Sequence, residues 1–191
     1  MTTKATLRNL YLDKRKALSH KQVLVATDLM LIQFQRLHLP SMETVLSYRP
    51  ILSKQEIDME HFESYLQLTN PSVIFCYPVS DLESCTFHAV PTDDDTAFSM
   101  NAWGIEEPQS IESIDPKAID LVFVPLLVFD KKGFRVGYGK GFYDKFLTQC
   151  RPDVMKIGFS CFPPVDTISD TDTLDIPLNV GITPDEIYVF P

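Results

Sequence analysis

The residues best suited to chemistry form a cluster of glycines and cations in the last third of the chain. Four of the seven glycines fall between residues 133 and 141, around Arg135 and Lys140. Glycine permits positive φ and close approach to a ligand, so successive backbone amides can converge on an anion. The spacing matches neither a Walker A loop nor the dinucleotide-binding G-x-G-x-x-G pattern. We therefore expect an anion site here, the alternative being a hairpin that uses glycine only for its turns.

Charge is distributed unevenly along the chain. The formal net charge of −9 argues against general nucleic-acid binding and against docking on an anionic membrane. Residues 1–21 and 131–156 nevertheless carry +5 each, against −13 for residues 22–130 and −6 for residues 157–191. The first basic segment contains Lys4 and Arg8, one helical turn apart. We expect the two segments to converge into one basic mouth, unless Lys4 and Arg8 belong to a solvated helix face.

Targeting and metal-binding patterns are not evident in the sequence. The amino-terminal residues lack the apolar core of a secretory signal, and the longest nearly unbroken apolar run, residues 121–129, is too short to span a membrane. The histidines have no zinc-ligand spacing, and the cysteines are scattered as in a reduced protein: Cys76, Cys85, Cys150 and Cys161. These features predict a cytoplasmic protein without a structural metal.

The glycine cluster must be positioned by an alternation of helices and strands. Hydrophobic periodicity and capping patterns predict helices over residues 3–18, 20–39, 53–68 and 142–150. Apolar and β-branched runs predict strands over residues 44–48, 73–77, 85–90, 119–124, 154–160 and 186–190. Residues 91–117 and 162–184 are expected to be mostly irregular. This order predicts a single α/β domain over residues 1–191, with a mainly parallel, Rossmann-like central sheet between helices in three layers.

The segment Arg135–Asp144 resembles the signature of the 5-formyltetrahydrofolate cyclo-ligase family, also called 5,10-methenyltetrahydrofolate synthetases. Further motifs of that family occur in the same order: Lys4-x-x-x-Arg8, Ile51-x4-Glu56, Tyr77-Pro78, Trp103-Gly-Ile-x-Glu-Pro108 and Asp175-Ile-Pro-Leu-Asn-Val-Gly-Ile-Thr183. The chain departs from common family residues at four places: Leu126-Leu127, Tyr138, Leu174 and Asn179.

The resemblance implies a role for each matching residue. ATP would be bound by Lys4, Arg8, Arg135, Val136, Gly137, Tyr138, Gly139, Lys140, Gly141, Phe142 and Tyr143. The folate would be bound by Ile51, Glu56, Tyr77, Met100, Trp103, Tyr138, Lys140 and Phe142. Lys140 and Arg135 would be catalytic, and Asp144 and Asp175 would hold Mg²⁺.

Several of these residues also have simpler interpretations. Glu56 is the fourth residue of a Ser53-x-x-Glu56 capping box, which competes with an interaction with the pterin ring. Asp144 would suit the first turn of a helix through its charge alone, and Asp175 could be an ordinary loop acid. Trp103 could be a core residue instead of a stacking surface.

The implied reaction is the ATP- and Mg²⁺-dependent cyclisation of 5-formyltetrahydrofolate to 5,10-methenyltetrahydrofolate, with release of ADP and phosphate. The implied partners are ATP and the folate, with or without a polyglutamate tail, and neither nucleic acid nor membrane; we expect a monomer. Two alternatives remain open, another phosphoryl-transfer enzyme on this scaffold and a nucleotide- or folate-binding protein without turnover.

Overall fold

A computed structural model describes residues 2–110 and 112–191 of the chain. Its α-helices are α1 (Lys4–Lys16), α2 (His20–Phe34), α3 (Glu60–Thr69) and α4 (Phe142–Leu147). The Ser19 hydroxyl accepts from the Gln22 amide, and the Gln22 side chain accepts from the Ser19 amide, so the predicted capping box opens α2. The helix ends at Phe34, before the predicted stop at Pro40. Among the described residues, no helix has the length and apolar character needed to cross a bilayer.

The strands come from short apolar segments along the whole chain. They are β1 (Thr44–Leu46), β2 (Ile74–Asp81), β3 (Thr86–Pro91), β4 (Phe98–Met100), β5 (Glu106–Pro108), β6 (Leu121–Phe123), β7 (Val128–Phe129), β8 (Arg135–Val136), β9 (Met155–Phe159), β10 (Val180–Ile182) and β11 (Ile187–Val189). In the described part of the chain, seven of them form one sheet in the order β11-β10-β9-β6-β1-β2-β3. The five inner strands are parallel, and the edge strands β3 and β11 are antiparallel to their neighbours.

Side chains alternate between the two faces of this sheet because the period of a strand is two residues. Val45 and Phe123 pack in a cluster with Phe34 of α2 and Phe62 of α3 on one face. Val122 packs on the other face in a cluster that includes residues of α4. Helices therefore cover both faces, and the predicted α/β fold with a mainly parallel central sheet is confirmed.

One local prediction was wrong, and the two regions expected to be mostly irregular contain short strands. No helix begins at Ser53: a 3-10 turn spans Leu52–Lys54, Gln55 has a left-handed φ of 50°, and α3 starts only at Glu60. The regions expected to be irregular contain the β4–β5 hairpin and strand β10. Both are short and gain their stability from neighbouring strands, so little of either is visible in the local pattern.

The chain order creates a switch point in the middle of the sheet. From β1, the chain continues through α3 to β2 on one side, whereas β6, on the other side of β1, is reached only after the two hairpins β2–β3 and β4–β5. In open α/β sheets, ligands bind at the carboxyl ends of the strands that flank such a point. The topology therefore directs attention to the loops that follow β1 and β6.

Candidate active site

A cleft of about 790 Å³ opens at this switch point. Tyr48 and Arg49 reach it from the end of β1, and Pro125 from the end of β6. The rest of its lining comes from α1, the segment between β1 and α3, the β2–β3 and β4–β5 hairpins, the glycine cluster, α4 and the segment before β10. The predicted site residues among them are Lys4, Arg8, Ile51, Glu56, Trp103, Arg135, Val136, Gly137, Tyr138, Gly139, Lys140, Gly141, Phe142, Tyr143, Asp144 and Asp175.

Residues 137–141 of the glycine cluster form the loop between β8 and α4, which we call the glycine loop. Gly139 has a φ of 85°, and Gly141, which precedes the first residue of α4, has a φ of 71°. L-residues with side chains rarely adopt these angles. A Cβ atom on Gly139 would also lie 2.8 Å from the guanidinium carbon of Arg8, so the Arg8 side chain would have to move. The backbone angle thus favours glycine at this position, and a side chain there would displace Arg8 from the loop.

The two basic segments meet at this loop, as expected from the charge pattern. The Arg8 side chain donates from Nε to the Gly137 carbonyl at 2.9 Å, across 129 residues of sequence. Lys4, one turn earlier on α1, forms an ion pair with Asp175. Lys140 is exposed on the loop and lines the cleft. Three cations from distant parts of the sequence therefore border one opening.

Arg135 lies beneath the loop. Its guanidinium donates to Asp144 Oδ1 at 2.8 Å and to the Ile176 carbonyl, and only 7% of its side chain is exposed. Burial lowers the pKa of Arg135, and the charges of Asp144 and Asp175 oppose that change. Arg135 is thus committed to holding the start of α4 against the segment at Ile176.

Glu56 does not take part in a capping box, because no helix begins at Ser53; it is buried and lines the cleft. Its Oε2 accepts from the Ile51 amide at 2.6 Å, and its Oε1 accepts from the Tyr138 hydroxyl at 2.5 Å. The buried Arg15 donates in turn to the Tyr138 oxygen and to the Leu126 carbonyl, the latter at 3.0 Å. Burial and the nearby Glu56 charge raise the pKa of Tyr138 well above its usual value, so the hydroxyl remains a donor.

Aromatic and aliphatic groups form the remainder of the wall. Trp103 meets Phe142 edge to face with ring centroids 5.6 Å apart, so this tryptophan is part of the cleft and not of the core. Two expected folate contacts lie outside the cleft lining. Tyr77 donates to Glu63 at 2.8 Å beneath the guanidinium of Arg49, and Met100 is exposed on β4.

Sequence reasoning missed several residues in or next to the cleft, and the four with the most evident chemistry are Lys54, Arg15, Arg49 and Tyr48. Lys54 lies over the Tyr138 ring, with Nζ 3.9 Å from the centroid, and Arg15 contacts the hydroxyl of the same residue. Arg49 lines the cleft, as does Tyr48. Arg15 falls in a basic helix and the others follow a strand, and no local pattern distinguishes them from surface residues.

Comparison with known proteins supports one family. A model of the 5-formyltetrahydrofolate cyclo-ligase family matches residues 1–179. A 5-formyltetrahydrofolate cyclo-ligase of Mycoplasma genitalium is 30% identical over 166 residues, which cover 84% of this chain and 86% of that protein. The cyclo-ligase of Haemophilus influenzae is 46% identical over 55 residues, 28% of this chain and 29% of that one.

Solved structures show the same fold. The NMR structure of a 5,10-methenyltetrahydrofolate synthetase from Aquifex aeolicus has a TM-score of 0.76 at 26% identity, covering 97% of this chain and 92% of that one. The synthetase from Mycoplasma pneumoniae has a TM-score of 0.73 at 24% identity, covering 95% and 98%. Because the family model matches residues 1–179 of this chain, the chain belongs to the 5-formyltetrahydrofolate cyclo-ligase family.

Proposed function

We propose that this chain converts 5-formyltetrahydrofolate to 5,10-methenyltetrahydrofolate, with hydrolysis of ATP to ADP and phosphate in the presence of Mg²⁺. The observation that carries the proposal is the shared cleft: Lys4, Arg8 and Lys140 border the glycine loop, and the buried carboxylate of Glu56 lines the same space. Such a cleft has features for a polyphosphate and for a ring that donates hydrogen bonds.

The reaction needs a leaving group at the formyl carbon. A formamide carbonyl is a poor electrophile, and its oxygen leaves poorly. Transfer of the γ-phosphoryl group to that oxygen breaks the bond to ADP and forms a phosphate ester. The folate N10 then attacks the same carbon and closes the five-membered ring, its proton passes to solvent, and phosphate departs with the oxygen to leave the methenyl cation. Phosphoryl transfer is accelerated chiefly by positioning and by charge neutralisation.

The glycine loop supplies the polyphosphate contacts. The amides between Gly137 and Gly141 line the cleft, and the left-handed residues Gly139 and Gly141 turn the backbone toward it. Arg8 is held against this loop by its bond to the Gly137 carbonyl. Lys140 is exposed and free to meet the transferring phosphoryl group, so we assign it the catalytic charge. Arg135 donates a hydrogen bond to Asp144 and thereby holds that carboxylate in position.

The carboxylates of Asp144 and Asp175 suit a magnesium ion. Mg²⁺ is usually held by one or two carboxylates together with phosphate oxygens and water. Asp144 uses Oδ1 for Arg135 and for the Ile176 amide, whereas no hydrogen bond within the described residues engages its Oδ2. When bound, Mg²⁺ would neutralise charge on the phosphates.

We assign the folate ring to the part of the cleft that Glu56, Trp103 and Phe142 line. Glu56 is held in place by the Ile51 amide and by Tyr138, and a carboxylate matches the N–H edge of a pterin. Trp103 and Phe142 provide aromatic surface beside it. Tyr138 belongs to the loop and bonds to Glu56, so it connects the nucleotide region with the folate region.

A coupled assay tests the proposal directly. The purified chain is incubated with Mg-ATP and 5-formyltetrahydrofolate, and absorbance of the methenyl product is recorded together with phosphate release. We expect one phosphate per ring closed, and no phosphate when the folate is omitted. Phosphate release with another acceptor but not with this folate would indicate a different phosphoryl-transfer enzyme. Ligand binding without either product would indicate a binding protein.

A further inference from the structure

Arg49 lines the same cleft as the glycine loop and packs against aromatic rings of β2 and β4. It follows β1 directly, and its guanidinium carbon lies 4.5 Å from the centroid of the Tyr77 ring and 4.8 Å from that of Phe98. These two rings meet edge to face at 82°, so the guanidinium rests in the corner between them. Stacking of this kind fixes the plane of the guanidinium and reduces the entropy lost when it binds a ligand.

Among the described residues, the guanidinium has neither a hydrogen-bond acceptor nor an ion-pair partner. Its Nε is buried without a hydrogen-bond acceptor, and no carboxylate within residues 2–110 and 112–191 forms an ion pair with it. Burial raises the pKa of Glu63, and the nearby charge of Arg49 opposes that change. The oxygens of Glu63 nevertheless accept from the hydroxyls of Ser47 and Tyr77 and not from Arg49. A stacked, unpaired arginine that lines a cleft is a preformed site for a planar anion.

The position of Arg49 favours a carboxylate over the phosphates of ATP. Its contacts are with β2 and β4, and Pro78 and Ser80 of β2 line the cleft with it. The cations assigned to the phosphates lie on α1 and the glycine loop instead. The proposed folate substrate ends in a glutamate, whose carboxylates match a guanidinium fork in shape and charge.

We propose that Arg49 binds a carboxylate of the glutamate tail of the folate substrate and thereby contributes to substrate selection. The inference rests on the proposed function, since it concerns the same cleft and the same substrate.

The experiment compares two substrates in two variants. One substrate is 5-formyltetrahydrofolate, and the other is 5-formyltetrahydropteroate, which lacks the glutamate. R49Q removes the charge, and R36Q is the matched control, because Arg36 is exposed just after α2 and its side chain bonds only to Gln33, at 3.1 Å. We expect R49Q to raise KM for the glutamate-bearing substrate about tenfold or more, as for loss of a charge-assisted hydrogen bond. KM for the pteroate and for ATP should stay unchanged, and R36Q should behave as the unaltered chain.

The decisive quantity is the ratio of kcat/KM for the two substrates within one variant. The ratio does not depend on how much of that variant is folded, because the active fraction cancels. A ratio unchanged by R49Q would overturn the inference. If the ratio stayed the same while kcat/KM fell equally on both substrates, Arg49 would be assigned to the phosphoryl group or to the structure of the cleft wall. If the unaltered chain closed the ring on neither substrate, the proposed function would fail first.

Discussion

The two ends of the central strands use polar residues in opposite ways. At the amino ends, Asp120 accepts from the amides of Glu43 and Thr44 at 2.6 and 2.9 Å and from Arg151 at 2.6 Å, and so ties β1, β6 and the segment before β9 together. At the carboxyl ends, the described residues include two buried polar atoms that line the cleft without a hydrogen-bond partner, the Tyr143 hydroxyl and Arg49 Nε. At the amino ends, Arg151 Nε also lacks a hydrogen bond, but it lies 3.1 Å from Asp153 in an ion pair.

This difference separates stability from binding. The three hydrogen bonds of Asp120 all come from the protein itself and join separate segments, so we expect this carboxylate to contribute to folding. Unpaired groups in a cleft cost free energy in the absence of a ligand, and that cost is recovered when a ligand supplies the missing partner. Substitutions at the two ends should therefore affect different measurements.

Replacement of Lys140 should give the largest effect. Lys140→Ala removes an exposed charge from the glycine loop, and we expect kcat to fall about a hundredfold to a thousandfold because charge on the transferring phosphoryl group is no longer neutralised. The midpoint of urea unfolding should not change. Lys132→Ala is the control, since Lys132 is exposed in the same basic segment but outside the cleft lining. Near-normal turnover of Lys140→Ala would remove its catalytic assignment.

A smaller effect is expected at Tyr138. Tyr138→Phe removes the hydroxyl that bonds to both Glu56 and Arg15, so Glu56 loses one of its two hydrogen bonds. We expect KM for the folate to rise about fivefold to tenfold, with little change in KM for ATP.

The double variant provides the control for Tyr138. If the hydroxyl acts through Glu56, Tyr138→Phe should have little further effect in a Glu56→Gln background. Additive losses would show that the two residues contact the substrate independently.

The smallest effect is expected at the amino ends and concerns stability alone. Burial by itself raises the pKa of Asp120, but its hydrogen bonds with Thr44, Glu43 and Arg151 outweigh burial and lower it. A lowered pKa stabilises the fold above the unfolded value of about 3.9, and the contribution is lost as pH falls through the folded value.

Unfolding of Asp120→Asn should show this dependence. We expect a loss of about 1–2 kcal/mol at pH 7, measured by urea unfolding, that shrinks as pH falls below about 4. Turnover per folded molecule should stay the same. A loss of stability independent of pH would mean that the charge of Asp120 is not what ties the strands together.

Local patterns in the sequence predicted the main elements well where burial was strong. The apolar run at Leu121–Phe123 and the capping box at Ser19 both appear as predicted, because strand burial and helix capping depend on neighbouring residues. The similar box at Ser53 failed. There the segment turns at Gln55, and Glu56 bonds to Tyr138, a residue 82 positions away. A long-range hydrogen bond replaced a local one, and the pattern of four residues carries no sign of it.

The amino-acid sequence by itself determined the α/β alternation, the glycine loop with its cations, and the two basic segments in an acidic chain. These features arise from short-range sterics, periodicity and composition. Tertiary structure alone decided that Arg8 lies against Gly137, that Arg15 and Glu56 share the hydroxyl of Tyr138, and that Arg49 rests unpaired between two rings. Such contacts join residues far apart in the chain, and their geometry is set by the packing of the whole sheet and its helices.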